Sequence, residues 1–320
     1  MQHPLSFLHR ELDSDAWKRD VETAFHDVVI ASQYLIHKNY EPASRLSLAM
    51  CESGNAELEF YGAMLMQQMS SMQAHYAESE DWLTIAGGLL TEGDRVANAH
   101  LLYRTGMLHA QKGQLRESLE VQTKAQQLFD ELGLELESAL ARSSIGYSLL
   151  VMGDAAGAVD TLLQAFPVIE RDAPISHSNA LRANVASALQ RVGNQELARS
   201  MYLEALVLPP FTHQGNSRAT VLHNLAIIEK ETGRVEEALL YYDLAMETAM
   251  IANLPERRVR LAAGKAELLT RYRRTDEAIA LIEGISNEDL SVSSAIAAFD
   301  VYAVRSRIHT ALGELDASLH

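Results

Sequence analysis

A glycine returns at every fortieth position through the middle of this chain, at Gly113, Gly153, Gly193 and Gly233. Arg273 and Gly313 keep the same step, so six positions hold one register without a slip. Five residues after each comes a small side chain: Ser118, Ala158, Ala198, Ala238, Ala278 and Ser318. Seven beyond the first four of these lie Ala125, Ala165, Ala205 and Ala245. Seven before each turn lie Gly106, Gly146, Ala186, Ala226, Ala266 and Ser306, and all six are small. Self-similarity at such a period is the mark of a repeat array, in which each copy is one supersecondary unit.

Helix geometry explains the spacing. Seven residues is close to two helical turns, so the paired small residues share one helix face. Small side chains on facing helices let the axes approach to the near end of the usual spacing. The glycine between them supplies a left-handed C-cap. Each period therefore predicts an antiparallel helical hairpin, with bulky Leu162, Tyr202 and Tyr242 on the second helix packing between hairpins. The links at 172–179, 208–217, 252–258 and 286–294 carry breakers. Their Ser, Asn and Asp residues are expected N-caps, and Pro255 suits a first helical turn. One hairpin buries too little alone, so stacking must complete the core.

Before residue 95 the pattern is looser. The segment from Lys38 to Met50 repeats it with a turn at 38, Ala43 and Met50, and Ala31 stands seven residues earlier. A second unit is expected around Met66, a turn at 72–76 and the helix holding Trp82, without the glycine. The expectation is an all-α chain: a lead or capping helix over 1–22, then one solenoid of about eight hairpins over 23–320, with turns near 38, 73, 113, 153, 193, 233, 273 and 313. The sequence given stops seven residues after Gly313, where a second helix has just begun, so a further capping helix is expected beyond it.

The bulk properties exclude several functions. A net charge of −16 argues against a nucleic-acid backbone as ligand, and the basic run RYRR at 271–274 is short. No stretch approaches the length of a membrane span, and the N-terminus has no signal-peptide pattern. The single cysteine, Cys51, allows no internal disulfide, which fits a reducing, cytoplasmic setting. Neither a G-x-G-x-x-G nor a G-x-x-x-x-G-K loop is present, and there is no H-E-x-x-H. The 12 histidines are scattered rather than three or four apart. Acidic pairs such as Glu236-Glu237 open second helices, where the helix dipole favours them. No catalytic residue, cofactor site or metal site is expected.

Residues 106–245 resemble tetratricopeptide repeats, and LHNLAIIEKETGRVEEALLYYDLAM at 222–246 looks like a nearly intact copy. The resemblance extends over roughly residues 24–320. The period is 40 rather than the family's basic 34, a longer form similar to repeats in bacterial regulatory proteins. The resemblance implies a right-handed superhelix whose first helices line a concave groove for a peptide or protein partner. By position it assigns to that groove Arg104 and Met107; Ser143, Ser144 and Tyr147; Asn184 and Ser187; His223 and Asn224; and Glu267. Asn184 and Asn224 match asparagines that hold a bound peptide's backbone in relatives, since an amide both donates and accepts. The competing reading gives each asparagine a structural bond to a neighbouring helix. Met107, Ala183, Ile227 and Ala263 replace the polar groups of the family's two-carboxylate clamp, so a chaperone tail is not the expected ligand.

The functional expectation is a non-enzymatic, peptide- or protein-binding regulatory module of a bacterial cytosolic signalling protein. Two alternatives stand beside it. One is the sensory N-terminal region of a larger signalling enzyme, such as a diguanylate cyclase, with its effector domain further along the chain. The other is a self-association module forming a homodimer.

Overall fold

The computed structural model describes residues 22–207, 215–291 and 294–311, and all regular structure among them is helical. The lead segment before residue 22 and the turn at Gly313 lie outside the described residues. The chain forms two compact units that divide between Val192 and Gly193.

The first unit contains α1 (His26–Ile36), α2 (Tyr40–Cys51), α3 (Ala56–Met72), α4 (Tyr76–Leu89), α5 (Arg95–Gln111), α6 (Leu115–Glu131), α7 (Glu135–Met152), α8 (Ala155–Asp172) and α9 (Ile175–Arg191). Hairpins α1–α2, α3–α4, α5–α6 and α7–α8 stack in sequence through α2 on α3, α6 on α7 and α8 on α9. The second unit contains α10 (Gln195–Val207), α11 (Gly215–Glu231), α12 (Val235–Ile251), α13 (Pro255–Arg271), α14 (Thr275–Glu283), α15 (Asn287–Ser291) and α16 (Ala295–Ala311). There α11–α12 and α13–α14 pair, and α12 and α16 both pack on α13. This is the helical-hairpin repeat that the forty-residue step predicts.

The turns are stereochemically uniform. Gly113, Gly153, Gly193 and Gly233 all have φ between 76° and 96°. Arg273, Lys38 and Ala74 take the same left-handed region at φ 60°, 56° and 61°, at the predicted turns that lack a glycine. At six of these turns, all but Gly193, the next residue donates its N–H five residues back, as Gln114 to His109 at 2.8 Å and Arg274 to Leu269 at 2.9 Å. This closure satisfies the last carbonyls of the first helix.

Two of the links between hairpins are built the same way. Gly133 (φ 70°) and Asn253 (φ 51°) are also left-handed, and Leu134 and Leu254 make the same five-back bond at 2.9 Å. Ala173 stands in the corresponding place but is extended, with φ −90° and ψ 156°. It precedes Pro174, whose ring pushes the preceding residue toward the extended region. Caps differ from expectation too. Ser286 and Ser294 do accept from the first turns they precede, at 3.0 and 3.4 Å. The N-caps of α9 and α13, however, are Pro174 and Leu254, without side-chain capping bonds. The aspartate caps Asp94 and Asp154 lie just past turn glycines instead.

The small residues sit where close approach demands them. A Cβ on Gly146 would come 2.6 Å from Leu162, and one on Gly106 would come 2.7 Å from Gln122. Ala186, Ala226 and Ala266 are fully buried, as are Leu162 and Tyr202, while Tyr242 is 1% exposed. Gln122 departs from the bulky apolar pattern and spends its amide on the Tyr103 carbonyl at 3.1 Å.

Candidate functional site

In the first unit, first helices α5, α7 and α9 present a common face bordering a cavity of about 450 Å³. Helix α5 contributes Tyr103, Met107 and Gln111; α7 contributes Leu140, Ser143, Ser144 and Tyr147; α9 contributes His177, Ala180 and Asn184. Tyr76, at the start of α4, borders one side. The volume lies in the range of ordinary ligand sites.

Five of the residues assigned from the sequence therefore meet: Met107, Ser143, Ser144, Tyr147 and Asn184. Those the reading missed follow from the same helical stripe. Tyr103 and Gln111 are one turn either side of Met107, and Ala180 and His177 are one and two turns before Asn184. Extending the stripe in both directions would have found them. Tyr76 comes from a helix outside the stripe and left no such signal.

The lining carries no carboxylate, lysine or arginine. The chain as a whole has 43 acidic residues. Ser144 is engaged locally, its hydroxyl donating to the Leu140 carbonyl at 3.2 Å and touching the Met107 sulfur at 3.1 Å. Tyr147 stays 42% exposed, a ring edge left to solvent. Asn184 makes no hydrogen bond to another described residue, so its donor and acceptor are both available.

The remaining assigned residues are placed differently. Arg104 does not line this cavity: it is buried and donates to Gln68 of α3 at 2.7 Å. Ser187 is half-buried on α9, outside the lining. Asn224, in the second unit, donates its amide to the Tyr202 hydroxyl at 2.8 Å, the structural bond of the competing reading. His223 and Glu267 border smaller clefts of the second unit. Glu267 there pairs with Arg307. Among the described residues no cluster of His, Cys, Asp and Glu could hold a metal ion, and no helix is long and apolar enough to cross a membrane.

Folding holds His177 and His223 in neutral form. Burial pushes each imidazole down to about 4. Arg104 adds to the effect at His177, and Arg257, Arg260 and Lys230 add to it at His223. Above the unfolded value of 6.5 both states are neutral and the shift costs nothing. As pH falls from there toward 4 the unfolded chain gains protons that the folded chain refuses, so stability drops. By about pH 5 each histidine is expected to remove about 1–2 kcal/mol. Urea unfolding of wild type and His177→Gln at neutral and acid pH checks this: the variant should lose less on acidification. Equal losses would remove His177 from the account.

Solved structures of low sequence identity share this architecture. The apo form of the quorum sensor NprR from B. thuringiensis is 14% identical, with a TM-score of 0.69 over 91% of this chain and 94% of its own. NprR in complex with its cognate peptide NprX is 14% identical, with a TM-score of 0.64 over 93% and 86%. The signal-transduction ATPase PH0952 from Pyrococcus horikoshii, which has a tetratricopeptide repeat sensor, matches at 12% identity and a TM-score of 0.69. It covers 98% of this chain but 48% of its own. The chain has a tetratricopeptide-type repeat fold. No family model matches the sequence of this repeat chain, and no curated protein does.

Proposed function

We propose that this tetratricopeptide-type chain is a peptide-binding regulatory module, and that a short extended peptide lies across α5, α7 and α9 of the first unit. The carrying observation is the uncharged cavity with the free Asn184 amide on its wall. An extended segment arrives with unpaired backbone N–H and C=O groups, and one carboxamide can serve both. Tyr147 and Met107 offer apolar area for one side chain of the guest, and Met adapts to irregular shapes. The likeness in fold to NprR, whose structure with the peptide NprX has been solved, supports the reading. In this role the chain senses rather than catalyses, and passes the bound state to an effector, either a further domain or a second copy of itself.

The test is panning of the full chain against a random linear peptide library, with calorimetry on the peptides recovered. Winners should be neutral, with an apolar or aromatic residue at a fixed place. Asn184→Ala should weaken them about tenfold, the cost of about one buried hydrogen-bonding group. Tyr147→Ala should weaken them by a similar or larger factor. Peptides that bind both variants as tightly as wild type would refute the site.

A further inference from the structure

We propose that the second unit holds a peptide site of its own, in which the Tyr242 hydroxyl donates to a backbone carbonyl of an extended guest. A cleft of about 270 Å³ lies among first helices α11, α13 and α16, and Tyr242 of α12 reaches its wall beside Gly264 of α13. It shares no residue with the cavity of α5, α7 and α9. Three observations point to it.

The first is an unpartnered hydroxyl. Tyr242 is 1% exposed, and its Oη makes no hydrogen bond to any described residue. The matching residue one repeat earlier, Tyr202, accepts the Asn224 amide at 2.8 Å. Tyr202 and Tyr242 each stand nine residues after a turn glycine, and Asn224 and Gly264 each stand nine before a turn. Where the first pair has an asparagine, the second has a glycine, so the side chain that would engage the hydroxyl is gone. A buried hydroxyl without a partner is costly, and a guest that supplies an acceptor removes the cost.

The second is the glycine itself. Glycine is a poor residue for a helix interior, yet Gly264 sits in the middle of α13. A Cβ there would stand 2.9 Å from the Tyr242 Oη and 3.1 Å from its Cε1. The missing side chain leaves the hydroxyl uncovered at the cleft. The third is the character of the opening. Burial, with Glu267 adding to it, pushes the Tyr242 phenol up to about 12, so the group stays a donor. Glu267 itself is taken by Arg307. Phe299 of α16, 69% exposed, and Ile227 of α11 supply apolar area on the same cleft. The other charges are mixed, Lys230 and Arg260 against Asp300, and set no net sign for the guest.

The donor selects the guest. A buried, protonated phenol asks for an acceptor, and every extended peptide brings backbone carbonyls that need a donor. The cleft is smaller than the ~300 Å³ at which sites for whole small ligands begin, so it suits part of a longer chain rather than a free compound. The Phe299 ring offers a stacking surface to an aromatic side chain of that segment.

The experiment starts from the full chain carrying Asn184→Ala and Tyr147→Ala, which blinds the first cavity, panned against a random linear peptide library. The peptides recovered are then measured by calorimetry. They should bind wild type as tightly as the panned variant, so a failure of the first cavity leaves this result untouched. Adding Tyr242→Phe should weaken them about fivefold, the value of about one net hydrogen bond. It should not lower the melting temperature, since the hydroxyl has no protein partner. A role in packing alone predicts unchanged binding, because the ring remains. Gly264→Ala should weaken the peptides at least as much, by setting a methyl against the hydroxyl; if that variant melts early, Tyr242→Phe decides alone. Replacing the peptide amides one at a time by thioamides, whose sulfur accepts poorly, should weaken binding at one position. That loss should vanish in the Tyr242→Phe chain, since the two changes remove the same bond. No saturable binder, unchanged affinity or a lower melting temperature for Tyr242→Phe, or a thioamide effect that persists without the hydroxyl would overturn the proposal.

Discussion

Tyr202→Ala is expected to destabilise the second unit by about 3–5 kcal/mol, the usual cost of emptying a large aromatic site in a packed core. The ring is completely buried on α10, and its hydroxyl accepts the Asn224 amide of α11 at 2.8 Å. Two effects are therefore removed together, and a second variant separates them. Tyr202→Phe keeps the ring and deletes the acceptor. Because Asn224 is only half-buried, water can replace the lost partner, and the cost should stay at about 1 kcal/mol. Urea unfolding of both variants decides the matter. If the phenylalanine variant lost as much as the alanine one, the hydrogen bond rather than packing would dominate.

The second large effect is expected at Glu229, a fully buried carboxylate on α11. Its Oε1 accepts Arg199 Nε at 2.6 Å, and its Oε2 accepts Arg234 Nε. Arg234 is also the residue that closes the Gly233 turn, its N–H reaching the Glu229 carbonyl at 2.8 Å. Removing either arginine leaves one counter-charge in place and should cost about 1–2 kcal/mol. Removing both strands an ionised group out of water, and Arg199→Ala/Arg234→Ala should lose about 3–5 kcal/mol. Adding Glu229→Leu to that double variant should recover most of the loss, because the stranded charge is gone. A double variant no weaker than the sum of the singles, or no recovery with leucine, would show that Glu229 finds water when its partners are absent.

The fold was legible because backbone stereochemistry and close packing both leave marks on residue identity. Turn positions from 113 to 233 must be left-handed, and glycine does this most easily. Gly106 and Gly146 face Gln122 and Leu162 too closely for any side chain. The same logic carried the register to Arg273, and more loosely to Lys38 and Ala74, where a non-glycine residue tolerates the strain. What escaped was the equivalence of the two turn classes. Gly133 and Asn253 lie twenty residues from the hairpin turns, but Ala173 breaks the series because of the proline after it. The short α15 was likewise hidden within a stretch that reads only as link.

The candidate site was legible by half. Position within the repeat identifies which face of α5, α7 and α9 looks outward, and it placed Met107, Ser143, Ser144, Tyr147 and Asn184 on one cavity. It could not separate Asn184 from Asn224, since their different fates depend on the residue facing each one. Tyr202 reaches Asn224 with a hydroxyl that a periodic pattern does not reveal as a partner. Nor could position predict Arg104 turning inward to Gln68, a contact between helices 36 residues apart in sequence.

The even stride of the turns bears on how such a molecule can grow. Left-handed residues at 113, 133 and 153 cut the chain into equal lengths, and each cut is closed by the same five-back hydrogen bond. The two ends of the repeat from Gly113 to Gly153 thus have interchangeable stereochemistry. A gene that copies or drops such a block inherits ready-made junctions, so evolution can change the number of hairpins without first inventing a linker to join them.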